Sequence, residues 1–227
     1  MSLRLPLFLL VALSLPLSAQ KTKPSGKTES GLTVRLLGDV VPESHAQVFL
    51  QSGDSKSTEL DLPTARLSEP IAVTARSMVL KAVGNDTPLC SITLPAEGKA
   101  FAVLLAQEKP PGLVPFVVRT DDPAFKAGDL IFVNRTAKTL ALKLGGTALV
   151  LEAGKTAKSR PSGAVDNAYD IVISERDPAG DKLVTSSRWP VEVNLRSYVF
   201  FSTNARGKTT FRAVDEYLEA PGGKKKR

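Results

Sequence analysis

Short apolar runs alternate with polar turn residues along most of the chain, and the clearest of them lie in residues 128–156. Three runs, 130–133, 140–144 and 147–151, follow one another there. Gly145-Gly146 separates the last two, and a Gly-Gly pair supplies the positive φ angles that a two-residue hairpin loop needs. This segment therefore predicts an antiparallel β-meander.

The predicted hairpin also fixes which side chains share a face. A two-residue loop sets Leu144 opposite Thr147, and Leu140 and Leu142 then lie opposite Leu151 and Leu149. One face of the hairpin is almost purely leucine. Such a face needs a cover, so we expect packed sheets.

The rest of the chain repeats this pattern of short runs between strand-breaking residues. Few windows carry the i, i+3, i+4 apolar stripe of a helix, and prolines interrupt most of them. The segment 155–164 is expected to be a loop, while 214–218 has helical spacing but is too short to assign. Further strands are predicted at 33–37, 47–51, 57–62, 71–75, 78–83, 90–94, 101–106, 114–119, 169–174, 183–189, 191–195, 198–203 and 209–214.

These runs predict an all-β chain with two tandem antiparallel β-sandwich domains, Ig-like or transthyretin-like. The domains are expected at 31–120 and 121–220, with Phe125 docking the turn-rich connector between them. Similar runs recur at an offset of about 97 positions, which we interpret as a duplicated module. The alternative is that any two sandwiches of similar strand count align this well.

The N-terminus has the pattern of a signal peptide over residues 1–19. A positive charge at Arg4 precedes a short apolar core, and Ala19 and Gln20 flank the expected cleavage site. The apolar core is shorter than the roughly 20 residues that cross a bilayer, although an uncleaved anchor is the alternative. We expect an exported protein without a transmembrane segment after cleavage, in the periplasm, cell envelope or secreted fraction.

The net charge of +7 belongs to the two ends of the chain. Eight of the 30 basic residues and one of the 23 acidic residues lie in residues 1–29 and 221–227, so the stretch between them is neutral. The segment 20–30 has a linker composition and is expected to be disordered. Nucleic acid is therefore not an expected partner. The tail 221–227 is expected to be disordered and solvated, although its charges could touch an anionic surface: Lys224, Lys225, Lys226 and Arg227.

Composition excludes several kinds of catalytic site. Cys90 is the single cysteine, so no internal disulfide forms, and its strand-like context predicts a small buried side chain rather than a reactive thiol. His45 is the single histidine, which excludes a two-histidine zinc motif, and its turn-like context argues against a catalytic triad. No cofactor or metal is expected.

Other motifs are weak. Gly-Lys-Thr occurs three times without the glycine that a phosphate-binding loop requires. The acidic pairs Asp121-Asp122, Asp177 with Asp181, and Asp215-Glu216 offer too few carboxylates for calcium. Trp189, together with Tyr169, Tyr198 and Tyr217, could form a stacking surface for a sugar or peptide; the alternative is that Trp189 fills the core of the second domain.

The segment Phe132-Val133-Asn134-Arg135-Thr136, followed by Gly145-Gly146 and Glu152-Ala153-Gly154-Lys155, resembles exported bacterial proteins built from tandem β-sandwich modules. This resemblance implies a fold and no activity. We expect a non-catalytic role, binding or structural, with an envelope protein or polymer as partner. Such a role predicts no deep polar pocket that gathers acids, hydroxyls or His45. A hydrolase acting on envelope polysaccharide or peptide, and a surface-docking factor using the basic tail, are the alternatives.

Overall fold

The computed structural model describes residues 29–39, 46–107 and 112–218. The predicted signal peptide with its cleavage site at Ala19 and Gln20, His45, and the tail that carries Lys224 to Arg227 lie outside these ranges. Within them the regular elements are strands, which confirms the all-β prediction. No helix in the described ranges is long and apolar enough to cross a membrane.

Nine strands make up the first half of the chain. They are β1 (Leu32–Gly38), β2 (Gln47–Ser52), β3 (Ser55–Lys56), β4 (Leu60–Asp61), β5 (Ile71–Val73), β6 (Ser77–Ala82), β7 (Pro88–Thr93), β8 (Ala100–Gln107) and β9 (Leu113–Arg119).

Eight strands make up the second half. They are β10 (Leu130–Asn134), β11 (Leu140–Leu144), β12 (Thr147–Leu151), β13 (Thr156–Ser159), β14 (Ala168–Glu175), β15 (Lys182–Pro190), β16 (Leu195–Thr203) and β17 (Thr209–Tyr217).

The strands form four sheets, two in each half. Sheet 1 has the order β5-β1-β8-β9, and sheet 2 has the order β3-β2-β6-β7 with β4 beside β2. Sheet 3 has the order β13-β10-β16-β17, and sheet 4 has the order β12-β11-β14-β15. When β4 is set aside, the strands of both halves occur in the same spatial order. The structure thus repeats one topology.

The repeat extends to strand direction. In each half the first strand pairs in parallel with the seventh, β1 with β8 and β10 with β16, while the other ladders are antiparallel. The residues that follow the first strands, Asp39 and Arg135, are 96 positions apart. Their amides donate to Leu105 and Phe201, which have the same spacing.

Three hydrophobic clusters hold the sheets together. The N-terminal cluster gathers residues of sheets 1 and 2, such as Leu36 and Leu80, and the C-terminal cluster gathers residues of sheets 3 and 4, such as Phe132 and Leu142. The middle cluster joins the two halves, since Leu104 of sheet 1 and Phe200 of sheet 3 both belong to it. Sheets 1 and 3 therefore contribute buried side chains from both faces.

The predicted hairpin is confirmed in its register. Leu140 pairs with Leu151, Leu142 with Leu149, and Leu144 with Thr147. Of the two loop glycines, Gly145 has a positive φ, of 60°. A Cβ on Gly145 would lie 2.0 Å from the carbonyl oxygen of Ser162, so close backbone approach requires glycine there as well.

Phe125 docks the connector as predicted, since it is buried in the middle cluster. Several element predictions were wrong. The expected loop at 155–164 contains β13. The segment 214–218, which was too short to assign, falls mostly in β17. The expected strand at 57–62 shrinks to β4, and the expected strand at 191–195 is mainly a connection between β15 and β16.

Candidate functional site

The cavity with the most aromatic lining lies in the second half of the chain, between the last strands of sheets 3 and 4. It has a volume of about 300 Å³. Strands β15 and β17 end these two sheets, so the cavity opens where neither sheet has a further strand. Trp189 from β15 and Phe211 from β17 line it. We call this cavity the aromatic pocket.

Strand register places the lining residues. Tyr169 of β14 pairs with Trp189 of β15, so these two rings enter from neighbouring strands of sheet 4. On sheet 3, Leu195 pairs with Tyr217, and Ser197 pairs with Asp215. Each wall of the pocket is therefore fixed by ladder hydrogen bonds.

The rings continue from the pocket into the core. Centroid distances are 5.9 Å between Trp189 and Phe211, 6.2 Å between Phe211 and Phe201, and 6.1 Å between Phe201 and Phe132. These separations are typical of interacting aromatic pairs. Trp189 is half-buried, whereas Tyr217 at the rim is 77% exposed. The aromatic pocket therefore has packed rings at its base and an exposed ring at its rim, an arrangement that a ligand can enter.

Three carboxylates line the aromatic pocket: Asp129, Glu192 and Asp215. Asp129 is buried, and its oxygens accept from Arg160 Nε and from the Lys126 amide, both at 2.7 Å. Asp215 accepts from Ser197 Oγ at 2.6 Å, and Glu192 is exposed. Among the described residues that line the pocket none is Lys, Arg or His. The pocket gathers three carboxylates within a lining that is otherwise mainly aromatic and aliphatic.

The four aromatic residues singled out in the sequence separate in the structure. Tyr169, Trp189 and Tyr217 line the aromatic pocket, which brings together three of the four. Tyr198 does not join them, because its side chain points into the middle cluster and is fully buried. The interpretation of Trp189 as a core residue is right in part, since it packs against the C-terminal cluster while lining the cavity.

Asp129 and Glu192 line the pocket although neither was predicted from the sequence as a site residue. Asp129 follows Gly128 directly before β10, and Glu192 follows Trp189-Pro190 after β15. Acids at strand ends next to aromatic residues were the available signal.

Glu216 belongs instead to the boundary between the halves. Its oxygens accept from Arg35 Nη1 of the first half, and from Arg196 Nε and Tyr198 Oη of the second, each at 2.7 Å. Burial raises the pKa of Glu216, but the hydrogen bonds from Arg196 and Tyr198 and the charge of Arg35 outweigh it, so the pKa lies below its usual value. Burial, followed by the charge of Glu216, raises the pKa of Tyr198. This network joins the two halves.

The remaining acidic pairs have structural partners. Asp121 bonds Arg119 Nε and the Lys99 amide, and Asp122 accepts from the Ala124 amide. Asp177 accepts from the Ala179 amide inside a turn, and Asp181 lies 3.5 Å from Arg176. These contacts stabilise turns and strand ends.

Cys90 packs against the N-terminal cluster, half-buried, and burial raises the pKa of its thiol to about 12. Such a thiol is a poor nucleophile at neutral pH. In the described ranges no three His, Cys, Asp or Glu side chains are placed to hold a metal ion.

Comparison with models of known protein families finds no match, and comparison with curated proteins finds no relative. The aromatic pocket and its carboxylates are therefore the basis for a functional proposal.

Proposed function

We propose that the chain is an exported, non-catalytic binding protein of the cell envelope or secreted fraction, and that its aromatic pocket holds a cationic group of the ligand. The observation that carries this proposal is one cavity with four aromatic rings and three carboxylates, and with no cationic side chain among its described lining residues. The signal-peptide pattern at residues 1–19 supports export.

The chemistry of the lining favours a cation. An ammonium or guanidinium group over an aromatic face gains about 0.5–2 kcal/mol, most over tryptophan. The exposed Glu192 and Asp215 would add charge attraction at the mouth. Because Asp129 already binds Arg160, it contributes less than the other two. A volume of about 300 Å³ lies at the small end of ligand cavities, which suits one side chain or a small amine.

The proposal for the fold is two transthyretin-like sandwiches, each made of two facing sheets. In an immunoglobulin constant-type domain the first two strands pair in one sheet. Here β1 and β2 lie in different sheets, as do β10 and β11. The common topology of the halves and the spacing of 96 support a duplicated module.

The test uses Trp189, the single tryptophan of the chain, as a reporter inside the pocket. Tetralysine is titrated into the full chain at low salt while tryptophan emission is recorded, with fully side-chain-acetylated tetralysine as the uncharged match. We expect a saturable emission change with tetralysine alone. Equal responses to both peptides, or no response, would overturn the proposal.

Variants assign the binding to the carboxylates. Asp215→Asn with Glu192→Gln should weaken tetralysine binding by roughly three- to tenfold, as expected for two partly exposed charges. Asp86→Asn is the matched control, since Asp86 is an exposed acid in a turn of the first half, with a φ of 52° that asparagine also adopts. That control should bind like the unaltered chain.

Hydrolysis of an envelope polymer is a second candidate, because three carboxylates share one cavity beside rings that could stack on a sugar. Asp215 would then act on the scissile bond. The assay measures the release of reducing ends from peptidoglycan fragments. Release by the unaltered chain that is lost in Asp215→Asn would favour this candidate.

A further inference from the structure

We propose that the chain's own basic tail is a ligand of the aromatic pocket. The tail, which carries Lys224, Lys225, Lys226 and Arg227, occupies the pocket until a competing cation displaces it. This inference rests on the proposed function of the pocket. It makes the tail a regulator of that site.

Charge complementarity is the first support. The tail ends in four consecutive basic residues, whereas the pocket presents three carboxylates, two of them on exposed residues, Glu192 and Asp215. By contrast, two acids at the boundary between the halves are engaged by arginines: Asp39 by Arg135, and Glu216 by Arg35 and Arg196. Of the three pocket carboxylates, Asp129 alone has an ion-pair partner among the described residues, Arg160.

The path of the chain is the second support. Strand β17 ends at Tyr217, which lines the pocket, and the Leu218 amide donates to the Asn194 carbonyl, two residues from Glu192. The described residues therefore end at the pocket mouth. Five residues separate Leu218 from Lys224, and they include Gly222-Gly223, which can turn back without steric cost. Five extended residues span about 17 Å, and they follow Leu218, next to Tyr217, which itself lines the pocket.

Tethering makes weak contacts sufficient. A short flexible link gives an effective concentration of about 1 mM at its target. If the isolated tail binds with a dissociation constant of about 0.1–1 mM, the tethered tail lowers the apparent affinity of an external ligand by roughly two- to tenfold. The tail and a basic partner would compete for the same rings and carboxylates.

The test compares the full chain with a full-length neutral-tail variant, in which Lys224, Lys225, Lys226 and Arg227 are all glutamine. Tetralysine affinity is read from Trp189 emission. We expect the neutral-tail variant to bind tetralysine two- to tenfold more tightly, and we expect high salt to remove that difference. As a control for net charge, Lys21, Lys23 and Lys27 are changed to glutamine, which should leave the affinity unaltered.

A third comparison places the effect in the pocket. When Asp215→Asn and Glu192→Gln are already present, the neutral tail should leave tetralysine affinity unchanged, because the carboxylates that attract the tail have been removed. Equal tetralysine affinity of the full chain and the neutral-tail variant would overturn the tail proposal while leaving the pocket's function intact. Failure of both proteins to bind tetralysine would overturn the proposed function itself.

Discussion

Asp39 and Arg135 occupy corresponding positions after the first strand of each half, and their side chains bind each other across the boundary between the halves. Arg135 also donates to the Gln107 carbonyl, and Arg212 donates to the carbonyls of Asp39 and Thr64. The middle cluster is therefore bordered by charged side chains that reach from one half into the other.

Arg135→Ala should destabilise the chain strongly. Asp39 is only 8% exposed, so removing the guanidinium leaves a buried carboxylate without its counter-ion. Breaking one side of a buried pair costs about 3–5 kcal/mol. We expect a loss of about 3 kcal/mol in urea unfolding. Arg176→Ala is the control, because its pair with Asp181 is about half exposed, and it should cost no more than about 1 kcal/mol.

Glu216 should make the free energy of unfolding depend on pH in the acidic range. Its pKa in the folded chain lies below the ordinary value of 4.5, so the folded state binds the proton more weakly than the unfolded state does. The stabilisation is complete above pH 4.5 and is lost as the pH falls through the lower, folded-state pKa.

Glu216→Gln tests this linkage. The variant should lose about 3 kcal/mol at pH 7, and its stability should fall less steeply in acid. Some acid dependence should remain, because Glu29, Asp121 and Asp122 also have lowered pKa values. Glu59→Gln, at an exposed pair with Lys56, should keep the original profile, and an unchanged profile for Glu216→Gln would contradict the linkage.

Gly145→Ala should cost more than Gly154→Ala, although both glycines have positive φ, 60° and 70°. The shared backbone penalty is about 1–2 kcal/mol. A Cβ at Gly154 meets nothing within 4 Å, whereas one at Gly145 meets the Ser162 carbonyl at 2.0 Å. Overpacking of this kind adds about 1–3 kcal/mol. Thermal unfolding of the two variants gives the difference directly, and equal losses would refute it.

Cys90 should react slowly with a thiol reagent while the chain is folded. Burial raises its thiol pKa to about 12, so little thiolate exists at pH 8. We expect the folded rate to be at least about a hundredfold below that in denaturant. Release of the chromophore from an aromatic disulfide reagent measures both rates, and similar rates would show that the thiol is accessible.

Local sequence signals predicted the hairpin well because its register depends on two adjacent glycines and on alternating leucines. They failed at β13, a short edge strand of sheet 3 with the polar sequence TAKS. Such a strand is fixed by its antiparallel partner β10 rather than by its own pattern. Propensity alone cannot distinguish it from a loop.

The contact between the halves had a signal in the sequence, but the alternation of apolar and polar residues did not reveal it. Strands β8, β10 and β16 are buried over nearly their whole length, without the exposed positions of a one-sided strand. Continuous apolar runs indicate burial on both faces. The same reason separates Tyr198 from Trp189: both are strand aromatics, but Tyr198 lies in a central strand and Trp189 in an edge strand.

The middle cluster also bears on how the two halves could exist apart. Either half made alone would expose side chains such as Leu104 or Phe200 to water. The two separate halves would bury these side chains again only by associating. Joining the halves in one polypeptide replaces that encounter with a tether. The contact between the halves is then independent of protein concentration, and the two halves are always synthesised in a 1:1 ratio.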